Sequence, residues 1–170
     1  MNTRISTERL DLIALDLYQL QSLLQNVAAI ENAVDLPIKR EVIDANVRRA
    51  LGLKIGKMQA ADPDAHDWFT YWLIVVREAQ IGAGLIGFKG VPDEAGSTEI
   101  GYGIDPAFQN KGYITEAIRA LVGWAFSHPA CRVVTATTVT NPASNRVLEK
   151  LGAQLVESTE EHCSWKIVRP

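Results

Sequence analysis

Apolar residues in the first third of the chain recur at helical spacing. Leu17, Leu20, Leu24 and Val27 predict an amphipathic helix opened by Asp16 as its N-cap, and residues 32–37 break the pattern. The leucine-rich stretch before it, residues 9–15, reads as the first strand. A second helix carries Ile43, Val47, Ala50 and Leu51 on one face, with Arg48, Arg49 and Lys54 elsewhere. Residues 59–67 then form a polar loop rich in breaker residues.

The period then changes. Residues 69–76 are apolar on both alternating faces, as in a strand covered on both sides. Residues 80–88, with Gly82, Gly84 and Gly87, and residues 97–104 follow after turns, which predicts an antiparallel meander. In the second half helix and strand alternate. Ile114, Ala117, Ile118, Leu121, Val122 and Ala125 mark the strongest helix, ended by His128-Pro129. Residues 132–139 are a β-branched strand, and 143–151 a short helix with Gly152 at its left-handed cap. Residues 153–157 and 163–168 close the chain as a hairpin. The element order is mixed α/β in one domain, residues 1–170.

Composition narrows the function. With 170 residues, 47% hydrophobic and 22% charged, the chain builds its own core and is not disordered. A net charge of −3, with Arg48-Arg49 as the longest basic cluster, offers no surface for nucleic acid. Cys131 and Cys163 read as reduced thiols, and neither they nor His128 and His162 have metal-ligand spacing. The N-terminus lacks the apolar core of a signal peptide, and no apolar run suits a membrane helix; a soluble, cytoplasmic protein is expected. There is no Gly-x-Ser-x-Gly elbow of the α/β-hydrolase type.

Residues 105–116 carry the chemistry. A glycine-bearing loop opens the strongest helix, leaving backbone N–H groups without intrahelical partners beside the positive end of the helix dipole. That arrangement suits a diphosphate, with Lys111 adding a full charge; taken alone, the same loop more often means only a turn permitted by Gly112 and a solvated Lys111. The sequence Gln109-Asn110-Lys111-Gly112-Tyr113-Ile114 resembles the acetyl-CoA loop of the Gcn5-related N-acetyltransferases, except that Ile114 stands where a small residue is usual. Thr7-Glu8-Arg9-Leu10, Glu99-Ile100-Gly101-Tyr102, Thr115-Glu116-Ala117 and Asn141-Pro142-Ala143-Ser144-Asn145 extend the resemblance to the ribosomal-protein N-terminal acetyltransferase (RimJ/RimL-like) branch. Ile114 is expected to point into the core and leave its N–H free.

The resemblance implies a mostly antiparallel sheet of about seven strands with helices on both faces, splayed between the fourth and fifth. It implies acetyl-CoA as cosubstrate, its pantetheine arm paired with backbone at Tyr102, Gly103 and Ile104 like an added strand. Gln109, Asn110, Lys111, Gly112, Tyr113, Ile114 and Thr115 would hold the diphosphate, and Asn141 and Asn145 the arm. No metal is implied. Glu99 is the candidate base for an amine that is mostly protonated at neutral pH; the alternative is a solvated strand carboxylate. The tyrosine many relatives use to protonate the departing thiolate is replaced by Leu148, and Ser144 takes the slot of a hydroxyl donor. The acceptor is a primary amine, either a protein N-terminus or a small amine. Its pocket would be built by residues 29–40, 59–68 and 157–162, with Glu31, Asp35, Asp62, Asp64 and Asp67 as candidate attractors. Trp68, Phe69, Tyr71 and Trp72 are expected mainly in the core, with one member free to line that pocket. The alternative function is an acyl-CoA-binding sensor without turnover. A homodimer is plausible from the family.

Overall fold

The computed structural model describes residues 2–139 and 142–170. Its strands are β1 (Arg4–Ser6), β2 (Leu10–Ala14), β3 (Trp72–Val76), β4 (Ile81–Phe88), β5 (Ser97–Ile104), β6 (Val133–Val139), β7 (Gln154–Ser158) and β8 (His162–Val168). Its helices are α1 (Leu17–Gln25), α2 (Val27–Val34), α3 (Ala45–Ala60), α4 (Tyr113–Phe126) and α5 (Pro142–Lys150). The strands form one sheet in the order β1-β2-β3-β4-β5-β6-β8-β7. Every pairing is antiparallel except β5 with β6.

Sheet faces follow from alternation. Leu10, Leu12, Trp72, Ile74, Val76 and Phe88 turn to the face covered by α4, whose Ala117, Ile118, Leu121 and Ala125 are fully buried. Ile13, Leu15, Leu73, Val75 and Leu85 turn to the opposite face, where Leu20 and Leu23 of α1, Ile30 of α2, and Leu51 and Met58 of α3 cover them. Fully burying a leucine or isoleucine side chain contributes about 1.5–3 kcal/mol. That packing holds α2, which is too short to be stable alone.

The structure departs from the sequence reading in four places. The sheet has eight strands: β1 pairs with β2 ahead of the strand expected first, Arg4 opposite Ile13. The first predicted helix breaks at Asn26, whose backbone is extended. Val27 therefore starts α2, which runs on to Asp35 in the left-handed region (φ 56°). Tyr113, not Ile114, takes the buried place at the start of α4; Ile114 is half-buried at its edge.

Finally, Lys54 lies inward. It is 8% exposed, donating from Nζ to the carbonyls of Phe88 (2.8 Å) and Phe69 (3.1 Å), with Nζ 4.5 Å from the Tyr71 ring centroid. Burial, with Lys57 and Lys89 nearby, pushes its amine from the usual 10.5 down to about 7. The unfolded chain binds more protons than the folded one between these values, so the Lys54 contribution to stability rises with pH across that window. Denaturant melts at pH 7, 8 and 9 should show this slope, and Lys54→Met should remove it.

Candidate functional site

The parallel ladder between β5 and β6 has three rungs, Ser97 with Val133, Thr98 with Val134 and Glu99 with Thr135. Beyond Glu99 the strands diverge, while β6 stays paired with β8 along its length. The bonds from Lys89 N to Glu99 O (2.9 Å) and Asp105 N to Ala83 O (2.8 Å) fix which groups face the gap. They turn the odd-numbered residues of β5 to β4, so the N–H and C=O groups of Ile100, Tyr102 and Ile104 face the opening.

A cleft of about 390 Å³ occupies this opening, between β5, the loop before α4, and α5. It brings together Tyr102, Gly103, Ile104, Gln109 and Asn110 with Gly112, Tyr113, Ile114 and Thr115. Asn110 and Gly112 are left-handed (φ 61° and 82°), and the turn they make aims the first amides of α4 into the cleft. No side chain caps this helix, and its first backbone bond is Glu116 N to Gly112 O. The N–H groups of Tyr113, Ile114 and Thr115 are therefore left to a ligand. Gln109 ties the loop to β5 through Nε2 on Ile104 O (3.3 Å). Lys111 extends outward, its Nζ 5.8 Å from the Phe108 ring centroid.

Arg9, in the bend just ahead of β2, braces this loop. Its Nη1 donates to Lys111 O (2.8 Å) and its Nε to Glu116 Oε2 (2.7 Å), and its guanidinium lies 4.5 Å from the Tyr113 ring centroid. Glu116 Oε1 also accepts from Arg9 N (2.8 Å) and Thr7 Oγ1 (2.6 Å). Burial pushes the Glu116 carboxyl up, but these hydrogen bonds and the Arg9 charge outweigh it and hold it below the usual carboxylate range.

On the far wall, Ser144 Oγ lies 3.5 Å from the Tyr102 hydroxyl, two protic groups facing each other across the opening. Burial pushes the Tyr102 phenol up, with the Ser144 hydrogen bond opposing it. Leu148 is fully buried in the core. Arg146 and Lys150, one helical turn apart on α5, also line the cleft. The sequence reading passed over both, although basic residues spaced by four beside a diphosphate loop were the available signal. Asn145 is turned away: its Oδ1 accepts from Thr138 Oγ1 (2.7 Å) and its Nδ2 points to Cys163 Sγ (3.9 Å). Asn141 lies outside the described residues.

Glu99 is separate from Ser144. It sits at the last rung of the β5–β6 ladder, ion-paired with Lys89 and half-buried. Alternation places it with Gly101 and Gly103 on the α3 face of β5. There a second cavity of about 400 Å³ is lined by Gly103, Tyr71, Leu85 and Val47, with Glu41 and Asp44. Three of the five expected acids are engaged elsewhere. Glu31 binds Arg40 (2.7 Å) and Ile38 N (2.7 Å), Asp67 accepts from Thr3 Oγ1 (2.6 Å), and Asp62 caps a turn. Glu41 and Asp44 reach the cavity because residues 37–39 pair with Gly82 of β4, just past the end of β5. A Cβ at Gly82 would sit 3.0 Å from Ile38 Cγ1, so glycine permits that approach.

Comparison with known proteins agrees with this geometry. Residues 9–154 match the acetyltransferase (GNAT) domain. The chain is 37% identical over 98 residues to the uncharacterized N-acetyltransferase YjdG of Bacillus subtilis, covering 57% of this chain and 58% of that protein. It is 36% identical over 84 residues to YoaA of the same organism, covering 49% and 48%. The chain thus spans about half the length of the curated relatives it matches. The structure of RimL, a ribosomal L7/L12 alpha-N-protein acetyltransferase in complex with coenzyme A, shares the fold, with a TM-score of 0.68 at 17% identity over 98% of each chain. The split sheet, the left-handed turn into α4 and the match over residues 9–154 together make this chain a member of the GNAT acetyltransferase domain family.

Proposed function

We propose that this chain is an acetyl-CoA-dependent N-acetyltransferase, in which a primary amine attacks the thioester directly. The carrying observation is the continuity of one cleft, from the uncapped amides of Tyr113–Thr115 to the unpaired edge of β5. A diphosphate on those amides lets an extended arm run along Ile100–Ile104 as an added strand. Arg146, Lys150 and Lys111 supply positive charge around it. The acceptor approaches from the α3 face, where Glu99 takes the proton from the attacking amine, directly or through one water. The Lys89 ion pair holds the Glu99 side chain in place. Backbone N–H groups near Ile104 polarise the thioester carbonyl, and the Ser144 and Tyr102 hydroxyls hydrogen-bond the departing thiolate. This pair of hydroxyls, in place of a tyrosine at Leu148, favours catalysis over a binding-only sensor. The RimL structure resembling this one is an alpha-N-protein acetyltransferase, which keeps a protein N-terminus beside small amines as the acceptor class.

A screen of primary amines with thiol release as readout tests the proposal. Acetyl-CoA should raise the melting temperature and at least one amine should release CoA. Stabilisation by ATP or NAD but not by CoA would refute it.

Arg9 has its own expected result. Arg9→Met should raise KM for acetyl-CoA about tenfold with kcat little changed, the loss of roughly one charge-assisted contact to the loop. With acetyl-pantetheine, which lacks the diphosphate, the variant and the parent should have equal KM. A defect of the same size with both donors would place Arg9 outside diphosphate binding.

A further inference from the structure

We infer that Arg77, just past the end of β3, is a positioning residue for the acyl donor: it fixes the turn that carries Arg9 and so pre-organises the diphosphate loop. This inference rests on the proposed binding of acetyl-CoA at that loop and adds a residue remote from the cleft.

Arg77 gathers four consecutive main-chain carbonyls. Its backbone N–H donates to Arg9 O (3.1 Å). Its Nη1 donates to Leu10 O (2.7 Å), and its Nη2 to both Thr7 O and Glu8 O. A planar guanidinium has a fork of donors wide enough for this, whereas a lysine ammonium is a single point charge. Asp11 Oδ1, 3.3 Å from Nη1, holds the guanidinium over the turn and itself accepts from Ser6 Oγ (2.6 Å).

The same turn presents its donors the other way. Thr7 Oγ1, Arg9 N and Arg9 Nε all meet the Glu116 carboxylate, and Arg9 Nη1 meets Lys111 O. Residues 7–10 thus lie between a cation behind them and an anion at the start of α4. The main chain of Arg9 is bonded on both sides, its N–H by Glu116 and its C=O by Arg77. From that fixed base its guanidinium reaches the loop, with Nη2 3.1 Å from the place a Cβ on Gly112 would take.

Arg77 is half-buried and is not among the residues lining the cleft, so its influence on the donor passes through Arg9. A loop already held in its bound conformation avoids the cost of ordering when the ligand arrives. Without the Arg77 guanidinium, water takes the carbonyls of this turn and the turn frays. Arg9 then loses its anchorage, and each binding event must order the loop again.

Two single variants and their double test this. Arg77→Met should raise the Kd of acetyl-CoA by calorimetry, and its KM, about fivefold, the cost of ordering a side chain and its turn anew. The kcat should hold, and KM for acetyl-pantetheine, which lacks the diphosphate, should stay that of the parent. Adding Arg77→Met to Arg9→Met should change Kd by about twofold or less, because residues in one hydrogen-bond network do not add. A direct pull of the Arg77 charge on the diphosphate would instead multiply the two effects, and that result overturns the inference. So does an unchanged Kd, or an equal rise in KM with acetyl-pantetheine, which would make Arg77 a general brace of the sheet. Should Arg77→Met fail to fold, Arg77→Lys keeps the charge and stem, loses the fork, and goes through the same comparison with the same expectations. A parent protein that neither binds acetyl-CoA nor releases CoA with any amine overturns the proposed function as well. A parent that does both leaves that reading intact whatever Arg77 shows.

Discussion

A valine at Gly112 will weaken acetyl-CoA binding on the order of a hundredfold. Gly112 sits at φ 82°, where an L-residue costs roughly 1–2 kcal/mol and a β-branched one more. The Cβ itself meets only Arg9 Nη2, at 3.1 Å, the far end of a flexible side chain. Backbone conformation, not collision, is therefore the obstacle. The chain escapes the strain by rotating out of the left-handed region, which re-aims the Tyr113, Ile114 and Thr115 amides. Hydrogen bonds to a charged group contribute about 1.5–3 kcal/mol each, so losing one or two accounts for about 2.7 kcal/mol, a hundredfold in Kd. Titration calorimetry with acetyl-CoA measures the loss, and far-UV circular dichroism checks that α4 and the sheet persist. Alanine at the same position should cost less, about tenfold. Unchanged affinity in the valine variant would remove the loop from diphosphate binding.

Glu99→Gln should lower kcat/KM for the amine on the order of a hundredfold at neutral pH, the low end of what a positioned base supplies. The amide keeps the shape of the side chain but cannot take a proton. An α-amine titrates at about 8, so its neutral fraction grows as pH rises toward that value. The deficit should therefore shrink with increasing pH, most of it gone one unit above the amine's own pKa. The pH–rate profile of both proteins decides the matter. Parallel profiles with equal rates would return Glu99 to a structural role, its carboxylate serving only Lys89.

Much of this arrangement could be read before any coordinates. The meander of β3, β4 and β5 and the α4–β6–α5 alternation follow from hydrophobic period, and Gly112 marked a turn at the opening of α4, which the structure makes left-handed. What escaped depends on contacts between distant segments. β1 is three residues long, too short for a periodic signal. Lys54 was placed off the apolar face because charge usually means exposure, yet two carbonyls and the Tyr71 ring receive its amine inside. Tyr113 and Ile114 both fit the apolar stripe of α4, and Phe108 and Arg9 packing on Tyr113 decides between them. Glu41 and Asp44 were not singled out, because only the Ile38–Gly82 bridge carries them to the end of β5.

With three rungs joining them, β5 and β6 act as a seam inside the sheet. Main-chain groups at Ile100, Tyr102 and Ile104 stand ready to bond whatever enters, while alternate residues stay locked to β4. Deuterium should therefore enter this strand in a one-on, one-off rhythm when no ligand fills the seam. An extended guest stitched along it would erase that rhythm and tie the β1–β5 half of the sheet to the β6–β8 half.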